Sequence, residues 1–299
     1  MSEPDPTAGS PARCLNCDAP LAGPYCASCG QRTPHANPTL REFVRETTHE
    51  LTNWEGKLPA TLKALMLKPG LLTEDFIAGR RARWLPPLRV YIICSVAYFL
   101  SGPIVARLTG EAERTVTRIS ATNPGATGGA AGDAALTPEA RRALEDAGAV
   151  RLVGRERFDR MAADLNELNT RVGGTVTDAM PKVMFALMPM FALLTWLAWR
   201  DEGRRFPAHL YFSLHLHAAW FAAMVVAQLA ALTRSVAAEV LVALLVVAYT
   251  TWYSIVAFKR VLGGTSTQMF VRSTVVGVTY GIWMLTAVFA ATAYALLTY

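Results

Sequence analysis

Charged residues are scarce in this chain and almost missing from its long apolar runs. Only 17% of the 299 residues are charged, whereas 52% are hydrophobic. A soluble globular domain carries closer to about 25% charged residues. Several runs approach the roughly 20 apolar residues that a membrane-spanning helix needs. This shortage of charge argues against a wholly soluble protein and predicts an all-α polytopic membrane protein.

Other features are missing as well. Residues 1–37 contain no apolar stretch of the kind that forms the core of a secretory signal peptide. Residues 1–13 are predicted to be a disordered tail. No phosphate-binding loop, dinucleotide fingerprint or Ser-His-Asp arrangement emerges, and the apolar runs contain almost no Asp or Glu. We therefore expect a protein that is not an enzyme, although the sequence leaves this question open.

Five apolar segments define the domain organisation. Residues 86–299 are predicted to form a transmembrane bundle with spans at about 88–106, 181–199, 209–232, 239–258 and 273–298. Residues 107–180 are predicted to be an extracytoplasmic insert with a helix that ends at Gly173 and Gly174. Residues 38–85 are predicted to form short amphipathic helices, one of them followed by Gly79 as its C-cap. These helices are too short to span, so they either lie in the membrane interface or pack on the bundle.

Basic residues predict how the chain is oriented. Ten Lys and Arg residues precede residue 88, and the loop 200–208 is also basic, whereas the loop 233–238 carries a single arginine. This alternation predicts an inner-membrane protein with its N-terminus in the cytoplasm and its C-terminus outside. The basic charge thus indicates the lipid bilayer as a partner and disfavours nucleic acid. A membrane-interface anchor is predicted directly before the first span, at Arg80, Arg81, Arg83 and Trp84.

Four of the five cysteines form two CxxC pairs within residues 14–31. They are Cys14, Cys17, Cys26 and Cys29. Each CxxC turn brings two thiolates to one ion, and four thiolates suit tetrahedral Zn²⁺. Because so short a segment cannot form a hydrophobic core, metal binding would supply its folding energy. The spacing predicts a closed, structural zinc ribbon, with iron and redox-active or disulfide-bonded cysteines as the alternatives.

Three histidines lie at the start of the third span, at His209, His215 and His217. Ionisable residues inside a membrane suggest function. On a helix, His209 and His217 lie about 80° apart and His215 points about 160° away from His217, so the three cannot form a compact site alone. A metal-dependent catalytic site, a proton or ligand site, and hydrogen-bonded structural histidines are the three interpretations.

Five short motifs follow one another along the chain. They are Tyr25-Cys26-x-x-Cys29-Gly30-Gln31, Thr61-Leu62 through Lys68-Pro69-Gly70, Phe76-Ile77-Ala78-Gly79-Arg80-Arg81, Pro87-Leu88-Arg89 and His209-x-x-Phe212-x-Leu214-His215-x-His217. In this order they resemble a family of bacterial membrane proteins, the domain of unknown function 3667. The resemblance covers most of the chain except residues 107–180. It implies a membrane protein with a zinc-ribbon head and supplies no activity.

Two functions are compatible with these features. The first is a non-enzymatic membrane adaptor or assembly factor whose ribbon recruits a cytoplasmic protein partner. The second is a transporter or channel for a small solute or lipid that uses the histidines of the third span. We favour the adaptor because a closed metal site is joined to a segment expected to lie against the membrane.

Overall fold

The computed structural model describes residues 13–32, 56–109 and 154–297, with a few positions between 142 and 151. This part of the chain is helical, apart from the ribbon and the connecting turns. Its helices are α1 (Leu58–Leu67), α2 (Leu71–Ile77), α3 (Pro87–Thr109), α4 (Arg155–Ala198), α5 (Phe206–Leu229), α6 (Val236–Leu262) and α7 (Ser266–Leu297). The described residues contain no β-strand, only two isolated bridges in the ribbon.

Five helical segments are long and apolar enough to cross a membrane, which confirms the predicted all-helical, multi-span fold. They are Pro87–Thr109, Gly173–Ala198, Phe206–Thr233, Val236–Leu262 and Ser266–Ala295. Most of them begin several residues before the apolar run that predicted them. The reason is that the terminal turns of a membrane helix carry polar residues at the headgroup level, where the average hydropathy is already low.

The helix α4 corrects one prediction. We expected a helix of the insert to end at Gly173 and Gly174, and a separate span to begin near residue 181. Instead α4 is a single helix of 44 residues from Arg155 to Ala198. Glycine in a helix interior costs only about 1 kcal/mol relative to alanine. Neither glycine adopts the positive φ of a helix C-cap, so the helix continues through both.

Some predictions fall outside the described residues. They concern the disordered tail, apart from Arg13, the first part of the amphipathic region up to residue 55, and much of the insert between residues 110 and 153.

Contacts divide the chain into two units. The first comprises Met1–Ser101 and Met188–Val278, and it contains the ribbon and the whole of α1, α2, α5 and α6. The second comprises Gly102–Leu187 and Thr279–Tyr299, which hold the end of α3, most of α4 and the end of α7. All of the candidate functional residues lie in the first unit.

The helix α5 forms the core of the first unit. Every residue from 209 to 219 is buried, whereas α6 leaves many of its apolar side chains exposed. A helix that is apolar all round belongs in an interior, and an exposed apolar face on a membrane helix suits lipid. The rings of Phe212 and Phe258 join α5 to α6 edge to face, with 4.9 Å between their centroids. The first unit is therefore built around α5.

Candidate metal centre and buried histidines

The four ribbon cysteines converge on one point. Their sulfur atoms all lie within 4.8 Å of one another. The distance is 3.6 Å between the sulfurs of Cys14 and Cys29, and 3.5 Å between those of Cys17 and Cys26. A tetrahedral ion with metal–sulfur bonds of about 2.3 Å requires sulfur atoms about 3.8 Å apart. None of the four is disulfide-bonded, so together they could hold a single metal ion.

The two CxxC turns have the same backbone geometry. In each, the carbonyl of the first cysteine accepts a hydrogen bond from the residue four positions later, and its N–H donates to the carbonyl five positions later. The residue after the second cysteine has a positive φ, 59° at Asp18 and 69° at Gly30. Asp and Gly are among the residues that adopt this conformation most readily. The local sequence thus positions both pairs of sulfurs.

Neighbouring groups make the thiols of Cys26 and Cys17 differ in acidity. The backbone N–H groups of Cys29 and Ser28 lower the pKa of the Cys26 thiol to about 7. At Cys17 the N–H of Ala19 also acts to lower the pKa, but partial desolvation and hydrogen bonds with the other thiols raise it to about 11. Thiols placed this closely cannot all ionise without a cation. Binding of a metal ion would displace their protons.

Gln31 fastens the ribbon to the turn that follows α2. Its side chain is buried, and Nε2 donates a hydrogen bond of 2.7 Å to the carbonyl of Gly79. Its Oε1 accepts hydrogen bonds of 3.0 Å from the N–H groups of both Arg81 and Ala82. One amide therefore satisfies three backbone groups across about fifty residues of sequence. Gln31 is thus one of the residues through which the ribbon contacts the rest of its own chain.

Gly79 is part of the C-terminal cap of α2 and also contacts the ribbon. The N–H of Arg80 bonds to the carbonyl of Asp75, and the N–H of Gly79 bonds to that of Phe76. These two bonds form a Schellman cap, and they confirm the C-cap predicted at Gly79, where φ is 78°. A Cβ atom at this position would lie 2.5 Å from Cδ1 of Leu15. Glycine thus ends α2 and also lets the first CxxC turn approach closely.

A buried carboxylate lies directly under this turn. Asp75 is 3% exposed and accepts hydrogen bonds from Arg80 Nε at 2.8 Å and from Trp84 Nε1 at 2.7 Å. A buried charge is tolerated when it is paired and hydrogen-bonded in this way. Arg83 Nε also lies 3.9 Å from this carboxylate, so three of the four residues predicted to anchor the chain at the membrane interface contact a buried acid of the same chain. Their contact with lipid remains a prediction.

Arg81 and Arg83 also make cation–π contacts within the protein. The guanidinium of Arg83 lies 5.7 Å from the ring centroid of Trp84. The guanidinium of Arg81 lies 5.6 Å from the ring centroid of Tyr211 on α5. Cation–π contacts of this kind contribute about 0.5–1 kcal/mol at exposed sites. The arginine cluster thus connects the turn after α2 to α5.

His215 is the point where α2 meets α5. Its Nδ1 lies 3.0 Å from the hydroxyl of Thr73, and its ring packs edge to face on Phe76 with 5.6 Å between centroids. Its Nε2 is buried and has no hydrogen-bond partner among the described residues. The helix α2 therefore covers this histidine and satisfies one of its two nitrogens.

The other two histidines have different surroundings. His217 Nδ1 donates a hydrogen bond of 2.8 Å to the carbonyl of Ser213, and its ring packs edge to face on Phe191. His209 is completely buried, and neither of its ring nitrogens has a partner in the described part of the chain. The three imidazoles therefore do not share a set of partners. Among the described residues, only the four cysteines form a cluster of three or more potential metal ligands.

The segment that carries Asp75 and Gly79 also has a sequence match. Residues 55–99 match the family described as protein of unknown function (DUF3667). This match confirms the family resemblance. The DUF3667 segment contains α1, α2 and the first half of α3, and it includes neither the ribbon cysteines nor the histidines of α5. No curated protein and no solved structure matches the chain significantly.

Sequence reasoning missed three residues of this site. Gln31 and Thr73 were not predicted to have any role, because their partners lie 48 or more positions away. Asp75 offered a weak signal, since it is an acid within a short apolar helix, followed at once by arginines. A buried acid next to a basic cluster suggests an internal ion pair, and this could have qualified the interpretation of the arginines as a membrane anchor.

Proposed function

We propose that this protein is a non-enzymatic membrane adaptor or assembly factor of the bacterial inner membrane, with a structural Zn²⁺ ion in a cytoplasmic ribbon. The observation that carries the proposal is the attachment of the ribbon through Gln31, which holds a small folded head against the bundle. A head fixed in this way presents its outer surface in a constant orientation. Preorganisation of this kind lowers the entropic cost of binding a partner.

The donor set supports zinc and a structural role. Four thiolate ligands complete a tetrahedron and leave no open position for water or substrate. Soft sulfur ligands select Zn²⁺, Cu⁺ or iron over the hard cations, and a reducing cytoplasm keeps them as thiols. We propose zinc because the two CxxC turns provide four ligands within one short segment.

Tyr25 supports a protein partner. It lies just before the second CxxC turn, and it is 61% exposed. Gln31 and Leu15 contact the rest of the chain, whereas most of the Tyr25 side chain is exposed to solvent. Exposed tyrosines are enriched among the residues that dominate protein interfaces. We propose that Tyr25 enters a pocket on a cytoplasmic partner.

Affinity capture from intact membranes tests the adaptor. We expect a specific partner to co-purify with the natural chain and to be lost in a Tyr25→Ala variant that still binds its metal. A Cys14→Ser, Cys17→Ser variant should lose the same partner together with the metal. Arg32→Ala is the matched control, because it changes another exposed ribbon residue and should retain the partner. A partner list unchanged in all three variants would contradict the proposal.

One observation supports a transporter as the second candidate. His209 is fully buried, and its two ring nitrogens have no hydrogen-bond partner among the residues that the structure describes. Leaving such groups unsatisfied costs about 1–3 kcal/mol each. Groups retained at this cost inside a membrane suggest a path for protons or a small polar solute. Proton flux into liposomes, followed with a pH-sensitive dye, tests this candidate. The natural chain should conduct and His209→Leu should not; a silent natural chain would exclude proton transport.

A further inference from the structure

The hydrogen bond between α1 and α6 lies far from the C-terminal end of α6. The hydroxyl of Tyr249 donates to the carbonyl of Met66 at 2.7 Å. Tyr249 precedes Leu262, the last residue of α6, by 13 positions. At 1.5 Å per residue this is about 20 Å along the helix axis. Even after the length of a tyrosine side chain is subtracted, Met66 lies more than about 10 Å inside that end of α6.

A contact between α2 and α5 places α2 at a similar distance inside the end of a spanning helix. The hydroxyl of Thr73 lies 3.0 Å from Nδ1 of His215, which is nine residues after Phe206, the first residue of α5. This separation corresponds to about 14 Å along α5. Because α5 and α6 both cross the membrane, their ends near the ribbon-side loops mark the same surface. Both α1 and α2 therefore extend below the level at which the spanning helices end.

Other contacts show that this pair of helices is inclined. Glu74 forms an ion pair with Arg260, and a Cβ atom on Gly70 would lie 3.0 Å from Val261, so the connecting turn lies near the end of α6. The end of α1, one turn earlier in the sequence, lies deeper. The carbonyl of Met66 belongs to the last turn of α1 and has no partner within the helix. The Tyr249 hydroxyl donates a hydrogen bond to this carbonyl. A backbone group below the membrane surface needs such a partner within the protein, because water does not reach it there.

The outward face of α1 exposes an apolar side chain at this deep end. Leu67 is 65% exposed, next to the buried end of the helix. The last turn of α6 carries Lys259 and Arg260, which belong at the headgroup level. Because the 27 residues of α6 span about 40 Å, about 5 Å at each end lies outside the roughly 30 Å hydrocarbon core. A position more than about 10 Å inside the end is therefore within the core, where an exposed leucine meets acyl chains and not water. Lys63 and Lys68 are also exposed, and flexible stems let their ammonium groups reach the phosphates at the membrane surface.

We infer that α1 and α2 form a helical hairpin embedded in the leaflet on the ribbon side, in which the C-terminal end of α1 is the deepest part and presents Leu67 to lipid acyl chains. The DUF3667 segment is thus itself a lipid-binding element and not only a connection to the first span. This inference depends on the membrane-spanning bundle and is independent of the adaptor proposal. It assigns to α1 a position that its length and its lysines alone do not predict.

Lipid quenching of a fluorescent amino acid tests the hairpin in the full-length chain. The label is incorporated at Leu67 or at Ala60 by stop-codon suppression, and each protein is placed in liposomes with brominated acyl chains. Ala60 is the matched control, because it is exposed and lies on nearly the same face of α1, about 20° away. The next residue, Thr61, accepts a hydrogen bond from the N–H of Leu85, two residues before the start of α3, so this is the shallow end of α1. A label at Lys63 provides a point between them.

We expect the label at position 67 to lose more than half of its fluorescence in brominated lipid and to resist aqueous iodide. The label at position 60 should show the reverse, and position 63 should lie between the two. Equal quenching by iodide at positions 60 and 67 would overturn the inference and place α1 in water. Protection of position 67 from both quenchers would also overturn it, because protein and not lipid would then cover Leu67.

Discussion

The ribbon and the bundle around α5 are held together by different forces. Within residues 13–32, the only buried side chains are those of Cys14, Cys26 and Gln31. In α5, by contrast, eleven consecutive residues from 209 to 219 are buried among apolar and aromatic neighbours. The ribbon has almost no apolar surface to remove from water, so we expect its order to depend on a bound ion. In the bundle, the burial of α5 removes apolar surface from water.

This comparison explains why the two regions are joined by a polar residue. An apolar joint would require a ribbon with a hydrophobic face, which its length does not provide. Gln31 instead uses hydrogen bonds to backbone groups that the Schellman turn leaves accessible. We call this contact of Gln31 with Gly79, Arg81 and Ala82 the joint. We expect that it can be removed without loss of the metal or of the folded bundle. Four variants test how far the ribbon, the joint and the bundle depend on one another, in order of expected effect.

Loss of the metal should have the largest effect and should be confined to the ribbon. We expect Cys14→Ser with Cys17→Ser to remove one bound metal ion per chain, because metal binding to such sites contributes about 10–16 kcal/mol. Hydrogen exchange should become fast in residues 13–32 and stay slow in α5. Cys94→Ala is the control, since it removes the fifth cysteine and should leave the metal in place. Faster exchange in α5 would show that the bundle depends on the metal.

Removal of the buried acid should weaken the bundle side of the joint. Asp75→Ala leaves Arg80 and Trp84 without their acceptor. We expect a loss of about 2–3 kcal/mol in unfolding free energy, a value reduced by the partial exposure of Arg80. Thermal unfolding in detergent measures the loss. The matched control is Glu74→Ala, whose ion pair with Arg260 is more exposed and contributes about 0–1 kcal/mol. Equal losses in both variants would contradict the role assigned to Asp75.

Loss of the joint itself should release an intact ribbon. Gln31→Ala removes three hydrogen bonds and leaves backbone groups of the turn without partners, at a cost of about 1–3 kcal/mol. We expect the metal content to stay unchanged while limited proteolysis separates the ribbon from the bundle more quickly. Arg32→Ala should cleave at the natural rate. Loss of metal in Gln31→Ala would show that the ribbon needs the bundle in order to fold.

The smallest effect should come from the contact between α2 and α5. Thr73→Val keeps the shape of the side chain and removes the hydroxyl that faces His215. We expect a loss of about 1 kcal/mol, and a double-mutant cycle with His215→Phe should return most of it as coupling energy. Thermal unfolding of the four proteins gives the coupling. A coupling near zero would mean that the two side chains contribute independently.

Local features were predictable from the residues themselves. The glycine at position 79 follows a short apolar helix, and the structure confirms it as the C-cap. The five spans were predictable because each is a long run with little charge. The end of the insert helix was not, because Gly173 and Gly174 weaken a helix without ending it unless the backbone turns there.

Pairs that are distant in sequence escaped prediction. The hydrogen bond from Gln31 to Gly79 spans 48 residues, and the one between Thr73 and His215 spans 142. No spacing rule connects residues so far apart. The helical wheel of α5 did predict that the three histidines diverge, because that property belongs to one helix.

By itself, the sequence determined that this chain is a helical membrane protein with four cysteines spaced for one metal ion. Both properties follow from interactions within short segments, namely the transfer of apolar runs to lipid and the tight CxxC turns. Only the tertiary structure decided that Asp75 binds the arginine and the tryptophan that follow it, and that α1 reaches the middle of α6. Those contacts depend on how separate helices pack, and packing is a property of the assembled chain.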